Sequence, residues 1–518
     1  MADSRLPRVV IVGSGFSGLC LGIRLKQTGL ASFTILEKAE RIGGTWRENT
    51  YPGAACDLMS FAYCFSFEQK TDWSRKWSPQ EEILAYMDHC AEKYRILPHV
   101  RFGCEVLGAR FDASAGLWRI RTRQGGVESE LEAELLVSGV GQLHRPVSPK
   151  IPGLEEFEGE VFHSAEWSHA VDLAGKRVGV IGNGASAIQF IPEIAPRVER
   201  LSVFQRTPNW MIPRGDRAYG EAEKRRFTRF PWLARLYRWL IWARQELLFP
   251  VMVGHPRFAE RTRRMALENL HAHVHDPALR EALTPDYPIG GKRILIHDDY
   301  YPALVRPNVE LVTSPIDHAE PEGLVCEDGR HYPFDVLILA TGFDTNSFLA
   351  PLAIQGPDGR LLDQEWKDGA EAYLGISVAG FPNLFMMYGP NTNLGHNSIV
   401  FMLECQTRTI LACIRALRER DLDWLDVRRD VMDAWDARVQ QELARTVWAA
   451  PDRSWYKTAA GRITNNWSGS TIRYWWKTRR PDLRAWLQGV RPARRGAEMR
   501  PSGPQPAGAA GREAVAAP

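Results

Sequence analysis

Short apolar runs alternate with longer amphipathic stretches over most of the chain, the pattern of buried parallel strands joined by helices. RVVIV (8–12) is the first such run, and LCLGIRLKQTG (19–29) after it reads as a helix closed by Gly29. A second strand, FTILEK, places Glu37 near its end. The same order returns with KRVGVIG (176–182), a helix, and LSVFQR (201–206). FDVLILATGF (334–343) reads as a strand returning beside these units, and ELLVSGVG (134–141) as the junction where the chain leaves the first. The predicted fold is α/β, with two nested doubly wound, Rossmann-like dinucleotide-binding domains and a helical insertion. The first domain is expected at 1–148 and 385–487, the second at 149–210 and 290–384, and the insertion at 211–289. The Pro/Gly/Ala/Arg-rich stretch 488–518 reads as a disordered tail.

Within the insertion, PWLARLYRWLIWARQELLFPVMVG (231–254) is rich in aromatic and aliphatic residues. Arg235, Arg238 and Arg244 interrupt it at helical spacing and Pro250 ends it, so a spanning helix is excluded. An amphipathic helix covering a domain, and the substrate entrance, is expected ahead of one lying on a membrane.

The turns between strand and helix carry the chemistry. Gly13-Ser14-Gly15-Phe16-Ser17-Gly18 is a complete GxGxxG, and Gly182-Asn183-Gly184-Ala185-Ser186-Ala187 is its GxGxxA counterpart. Glycines there let the backbone approach a pyrophosphate, and the helix N-terminus offers N–H donors and a positive dipole end. Glu37 falls nineteen residues after Gly18, and Arg206 falls nineteen after Ala187. A carboxylate accepts hydrogen bonds from an adenosine ribose, whereas a guanidinium holds a 2′-phosphate. The first site is therefore assigned to FAD and the second to NADPH, with Thr207 beside Arg206.

Composition narrows the class without adding to this. The 518 residues are 44% hydrophobic and 25% charged, with a net charge of +3, so neither a disordered chain nor a nucleic-acid binder is indicated. The eight cysteines contain no CxxC pair, and MADSRLPR lacks the apolar core of a signal peptide. A cytoplasmic protein without a metal site is expected. A disulfide reductase needs a close thiol pair beside the flavin, and Cys56 and Cys64 are a poor match, reading rather as packed thiols. Oxygen or a protein partner remains as electron acceptor.

At this point the residues resemble a family. GGTWRENTYPGAACD (43–57) matches the long fingerprint of type I Baeyer–Villiger monooxygenases, and FEGEVFHSAEW (157–167) matches the shorter FxGxxxHxxxW. Ser168 departs from the Pro or Asp that usually follows. The resemblance continues through QRTPNW (205–210), GGKRILIHDDYY (290–301), ATGFD (340–344) and SWYKTAAGRITNNW (454–467). It implies a flavoprotein monooxygenase that uses FAD, NADPH and O2 to convert a small hydrophobic ketone to an ester or lactone.

That chemistry runs through an anionic C4a-peroxyflavin, which needs a fixed cation beside it. By its place in the family-like GGKR segment, Arg293 is the expected cation, worth about 3–4 kcal/mol at the barrier. Read without the family, Arg293 pairs with Asp298 or Asp299. Asp57 is implied to orient Arg293, its plain reading being a cap of the preceding turn. Lys292 is expected to join Arg206 and Thr207 around the 2′-phosphate. Trp455 is implied on the nicotinamide side, with core packing as the alternative, and Trp46 close to the isoalloxazine. Lys38, Gly44, Thr45, Tyr63 and Val106 complete the expected cofactor-binding set. His163 reads as a hinge contact rather than an acid or base. A flavin monooxygenase oxidising nitrogen or sulfur shares both glycine motifs, and a non-catalytic flavoprotein responding to NADPH is the reading from a different class.

Overall fold

A computed structural model describes residues 6–451 and 454–490. Two five-stranded parallel sheets organise it. In the first, β1 (Arg8–Val12) lies at the centre, between β2 (Ser32–Leu36) and the strand Leu135–Ser138, with Leu384–Met386 and Val100–Arg101 at the edges. Helix α1 (Phe16–Thr28) follows β1 and stops at Gly29, which takes the left-handed conformation (φ 61°) and donates its N–H to Leu25. The apolar side chains from Leu19 to Leu25 are buried, because α1 is covered by the sheet on one side and by a later helix on the other.

The second sheet repeats this plan. β3 (Arg177–Ile181) is central, flanked by β4 (Arg200–Phe204) and the strand Val336–Leu339, with Val309–Val312 and Glu160–His163 outermost. Helix α2 (Ala187–Ile194) follows β3. The correspondence extends to single hydrogen bonds. Gly13 N donates to Leu36 O (2.8 Å) as Gly182 N donates to Phe204 O (3.0 Å). At Gly18 a Cβ would lie 2.0 Å from Gly13 O, so helix and loop meet at a distance only glycine permits.

The insertion is helical, as expected: Glu221–Arg229, α3 (Pro231–Glu246), Phe249–Met252, α4 (Pro256–His273) and Pro277–Ala282. α3 ends at Glu246, earlier than Pro250, which instead occupies the first turn of the next short helix, where its missing N–H costs nothing. Arg238 is turned inward and donates to the carbonyls of Phe61 (3.1 Å) and Cys64 (2.7 Å), so that arginine tethers the insertion. Among the described residues no helix is long and apolar enough to cross a membrane.

α5 (Ile399–Glu419) returns to cover α1, and Thr407 Oγ1 on it reaches Cys20 Sγ (3.4 Å). Trp435, Trp448, Tyr456, Trp467 and Tyr474 pack into one cluster beyond it. The start of the expected tail is corrected: Trp486–Gly489 is a strand paired with Trp424–Val427, its residues held by that ladder, and 491–518 lie outside the described residues.

The contact at Gly18 carries a prediction. Gly18→Ala should destabilise the apo-protein by about 1–3 kcal/mol through overpacking, whereas Gly184→Ala, with nothing within 4 Å of its Cβ, should be nearly neutral. Thermal unfolding of the two variants side by side tests this, and equal effects would contradict it.

Candidate active site

The C-terminal edges of both sheets open onto one cavity of about 1300 Å³. Gly13, Ser14, Gly15, Phe16 and Ser17 line it from one unit, and Gly182, Asn183, Gly184, Ala185 and Ser186 from the other. Gly18 and Ala187 do not reach the surface of the cavity. They sit under their loops as packing residues, Ala187 fully buried among α2 and its sheet.

Around the first loop the cavity is also lined by Glu37, Lys38, Gly44, Thr45, Trp46, Tyr63 and Val106. Glu37 is buried and accepts from Ser14 N (2.9 Å), Ser14 Oγ (2.6 Å) and Ala39 N (3.1 Å), and Arg47 neutralises it at 3.1 Å. Trp46 Nε1 donates to the Tyr63 hydroxyl (3.1 Å), and burial pushes that phenol well up. The tryptophan is thereby held edge-on to Tyr63 at the cavity wall.

Around the second loop, Asn183 Nδ2 donates to Gln205 Oε1 (2.7 Å) and Thr207 O (3.0 Å), tying the glycine turn to the segment that carries Arg206. Arg206, Thr207 and Lys292 all line the cavity. Burial first, and the neighbouring Arg206 second, lower the Lys292 pKa. Neither cation makes a direct ion pair among the described residues; Asp286 acts on Lys292 only from a distance, and its pull is weaker than burial and the push of Arg206.

Arg293 follows directly and is different. Its Nη2 pairs with Asp57 Oδ2, across 236 positions of sequence, and Asp57 raises the guanidinium pKa well above its ordinary value. Both residues line the cavity. Asp298, a sequence neighbour, is committed elsewhere: it accepts from the backbone N–H groups of Arg214, Gly215 and Asp216. Asp57 is itself placed by several contacts. Arg214 Nη2 holds the Cys56 carbonyl (3.1 Å), and Gln189 on α2 holds Ala55 through both its N–H and its carbonyl (3.3 and 3.0 Å) while accepting from Tyr51 (3.0 Å).

Trp455 lines the cavity beside Tyr456, its ring 4.6 Å away. His163 does not line it. Its Nδ1 accepts from Ala165 N (3.0 Å), capping a short turn at the end of the strand, and burial lowers its pKa. Cys56 and Cys64 are both buried and free, with burial raising each thiol.

Three residues escaped the sequence reading. Tyr388 lines the cavity in a left-handed backbone conformation (φ 60°), donates to Asn393 Oδ1 (2.7 Å), and with buried Tyr456 lies within the field of Arg293. A tyrosine at positive φ is uncommon and marks a constrained position. Arg214 is the third. The only trace of any of them in the sequence is that Tyr456 falls inside the segment SWYKTAAGRITNNW.

Comparison with known proteins identifies the family. Residues 6–233 match the profile of the family described as flavin-binding monooxygenase-like. A Baeyer–Villiger monooxygenase of Streptomyces coelicolor is 43% identical over 488 residues, covering 94% of this chain and 93% of the relative. This chain belongs to the Baeyer–Villiger monooxygenase family. It is a flavoprotein monooxygenase, and the resemblance drawn from the two fingerprints holds. A steroid monooxygenase solved with NADP superposes with a TM-score of 0.84 at 31% identity, covering 93% of this chain and 99% of that one. A complex of the OTEMO enzyme with FAD and NADP gives 0.83 at 27% identity, covering 94% and 100%. The fold class expected from the sequence is that of these enzymes.

His297, two residues beyond Leu295, gives a pH prediction. It is buried, accepts from Asp299 N (3.1 Å), and burial together with Arg214 lowers its pKa to about 4. An unfolded histidine titrates near 6.5, so the unfolded state binds the proton first and stability falls as pH drops from about 6.5 towards 4. At pH 5 this amounts to about 2 kcal/mol. His297→Asn, which keeps an acceptor, should lessen the loss. Denaturant midpoints at pH 7.5 and 5 that shift equally in both proteins would refute it.

Proposed function

We propose that this enzyme converts a small hydrophobic ketone to an ester or lactone, with Arg293 as the catalytic cation and Asp57 as the group that orients it. The observation that carries the reading is the Arg293–Asp57 pair opening into a cavity shared by both glycine loops.

FAD and NADPH are its cofactors. Bound FAD supplies the two-electron store and the centre at which O2 is activated, and NADPH supplies the hydride. The residues present fit both groups. The first loop and α1 N-terminus suit the FAD pyrophosphate, with Glu37 for the ribose. Arg206 and Lys292, neither in a direct ion pair among the described residues, suit a 2′-phosphate with Thr207, and open space above Gly184 leaves that loop accessible to the pyrophosphate. On this reading the flavin unit is drawn from 1–148 and 385–487, and the nicotinamide unit from 149–210 and 290–384.

The contribution of the chain is then electrostatic. Asp57 keeps Arg293 charged at every working pH, so its N–H donors face the oxygen on which negative charge develops when the ketone carbonyl is attacked. One oxygen atom of O2 enters the C–C bond beside the carbonyl, and the other leaves as water with the electrons of NADPH. The phenols of Tyr388 and Tyr456, held protonated by burial, border the same charge without competing for it. Leu349, Leu352, Leu394 and Leu403 give the cavity an apolar wall suited to a hydrophobic ketone.

The deciding experiment is a product assay with NADPH and 18O2, offering a panel of hydrophobic ketones and one aryl sulfide. An ester carrying one 18O atom is expected. Labelled sulfoxide with every ketone untouched would move the enzyme to heteroatom oxygenation. Arg293→Ala should still load and reduce flavin yet lose about 10²–10³ in ester formation, and an unchanged rate would remove Arg293 from the mechanism. Lys292→Ala should weaken NADPH about tenfold while leaving NADH binding nearly unchanged, read by stopped-flow reduction at varied nucleotide.

A further inference from the structure

Among the described residues, nothing covers the outer face of α3. Ala234, Ile241 and Gln245 face inward and are buried, so α3 is seated on the molecule by one side only. On the opposite side Trp232 is 61% exposed, Trp239 57% and Leu247 66%, with Leu236 and Leu240 between them also exposed. At 100° per residue these side chains fall on one stripe about a quarter-turn wide. Arg235 and Arg244, both exposed, border that stripe on either side. Tryptophan and leucine at the centre with arginine on both flanks is the arrangement of a helix lying in a membrane interface.

Charge and shape add to this independently. Between residues 221 and 265 there are eleven Lys/Arg and four Asp/Glu, an excess of seven on a chain whose net charge is +3. Beside the stripe, Phe227, Leu233, Leu236, Tyr237 and Leu240 line a groove of about 240 Å³ that also touches Arg226 and Glu223, the carboxylate already neutralised by Arg217 at 2.8 Å. An apolar groove next to a guanidinium suits an acyl chain under an anionic head group. A second copy of the chain would set two such positive surfaces against each other, whereas an anionic lipid surface neutralises them.

We infer that α3 docks the enzyme on an anionic lipid surface, with Trp232, Leu236 and Trp239 in the interface and the flanking arginines on the head groups. The chain does not span; it lies against the bilayer. The C-terminal turn of the same helix is bonded to the cavity wall, since Asn397, which lines the cavity, donates to Trp242 O (3.2 Å) and Glu246 Oε1 (2.8 Å). Docking therefore holds the cavity within one helix of the lipid, where hydrophobic ketones concentrate.

The test is flotation of the flavin-loaded full chain with vesicles of phosphatidylcholine containing about a third phosphatidylglycerol, against pure phosphatidylcholine. Wild-type protein should float with the anionic vesicles and be released several-fold by about 0.5 M NaCl. Trp232→Ala/Trp239→Ala and, separately, Arg235→Glu/Arg244→Glu should each lower the bound fraction about tenfold or more. Both variants alter exposed positions, so flavin content and thermal midpoint should be unchanged, and the result does not depend on which substrate is oxidised. Absence of wild-type flotation, or flotation unaffected by both variants, overturns the inference. So does a wild-type dimer in sedimentation velocity that the tryptophan variant dissolves, since the face would then be covered by a second copy.

Discussion

A fixed positive charge at the bottom of a cavity is the constraint around which this protein is arranged. In the proposed role Arg293 has to stay charged, stay put and stay open to reactants, and one carboxylate 236 positions away in sequence meets the first two demands. A lone buried guanidinium would be costly and mobile, and one surrounded by carboxylates would have no field left for a reacting oxygen. One partner satisfies the arginine on one side. Asp298, which might have competed, is withdrawn by three backbone donors.

The contrast with Lys292 is instructive because it is the adjacent residue. The two cations lie in the irregular segment before the strand Leu295–Ile296 and meet different neighbours, Arg293 a carboxylate and Lys292 the guanidinium of Arg206. The result is two electrostatic sites of opposite character along one wall. One is a charge in direct contact with its carboxylate, and the other is a pair of cations with only the distant Asp286 against them, which favours an incoming anion. On the function proposed above, the same segment would serve both the nucleotide and the chemistry.

Much of this was legible in the sequence because the determinants are local. Strand, glycine turn and helix follow each other within thirty residues, so β1, α1, β2 and their repeat could be read from the apolar runs and the paired offsets of Glu37 and Arg206. The returning strands Leu135–Ser138 and Val336–Leu339 were visible for the same reason. What escaped depends on distant contacts. Arg214 matters because it reaches Cys56, and Tyr388 because a left-handed turn aims it at the cavity, and neither fact has a local signature. The partner of Arg293 could be named only through the family resemblance, since the residues alone pointed to Asp298 or Asp299. The run at 231–254 was read as covering a domain, and one side of α3 does, while exposure shows its tryptophans on the other.

The loop carrying Asp57 belongs by chain connection to the first unit, yet Gln189 on α2 grips it at Ala55 and Tyr51, and the backbone at Gly53 passes so near α2 that a Cβ there would lie 2.7 Å from Gln189 O. The loop is nonetheless bolted to the first unit as well, since Cys56 N donates to Ser78 O (3.1 Å) and Gln80 N donates to Ala54 O (2.8 Å). Asp57 therefore sits on a seam between the two sheets rather than on either body, and a rotation of one against the other would load both sets of bonds at once. Exchange of parts between relatives has to keep residues 51–57 matched to Gln189 on one side and to Ser78 and Gln80 on the other.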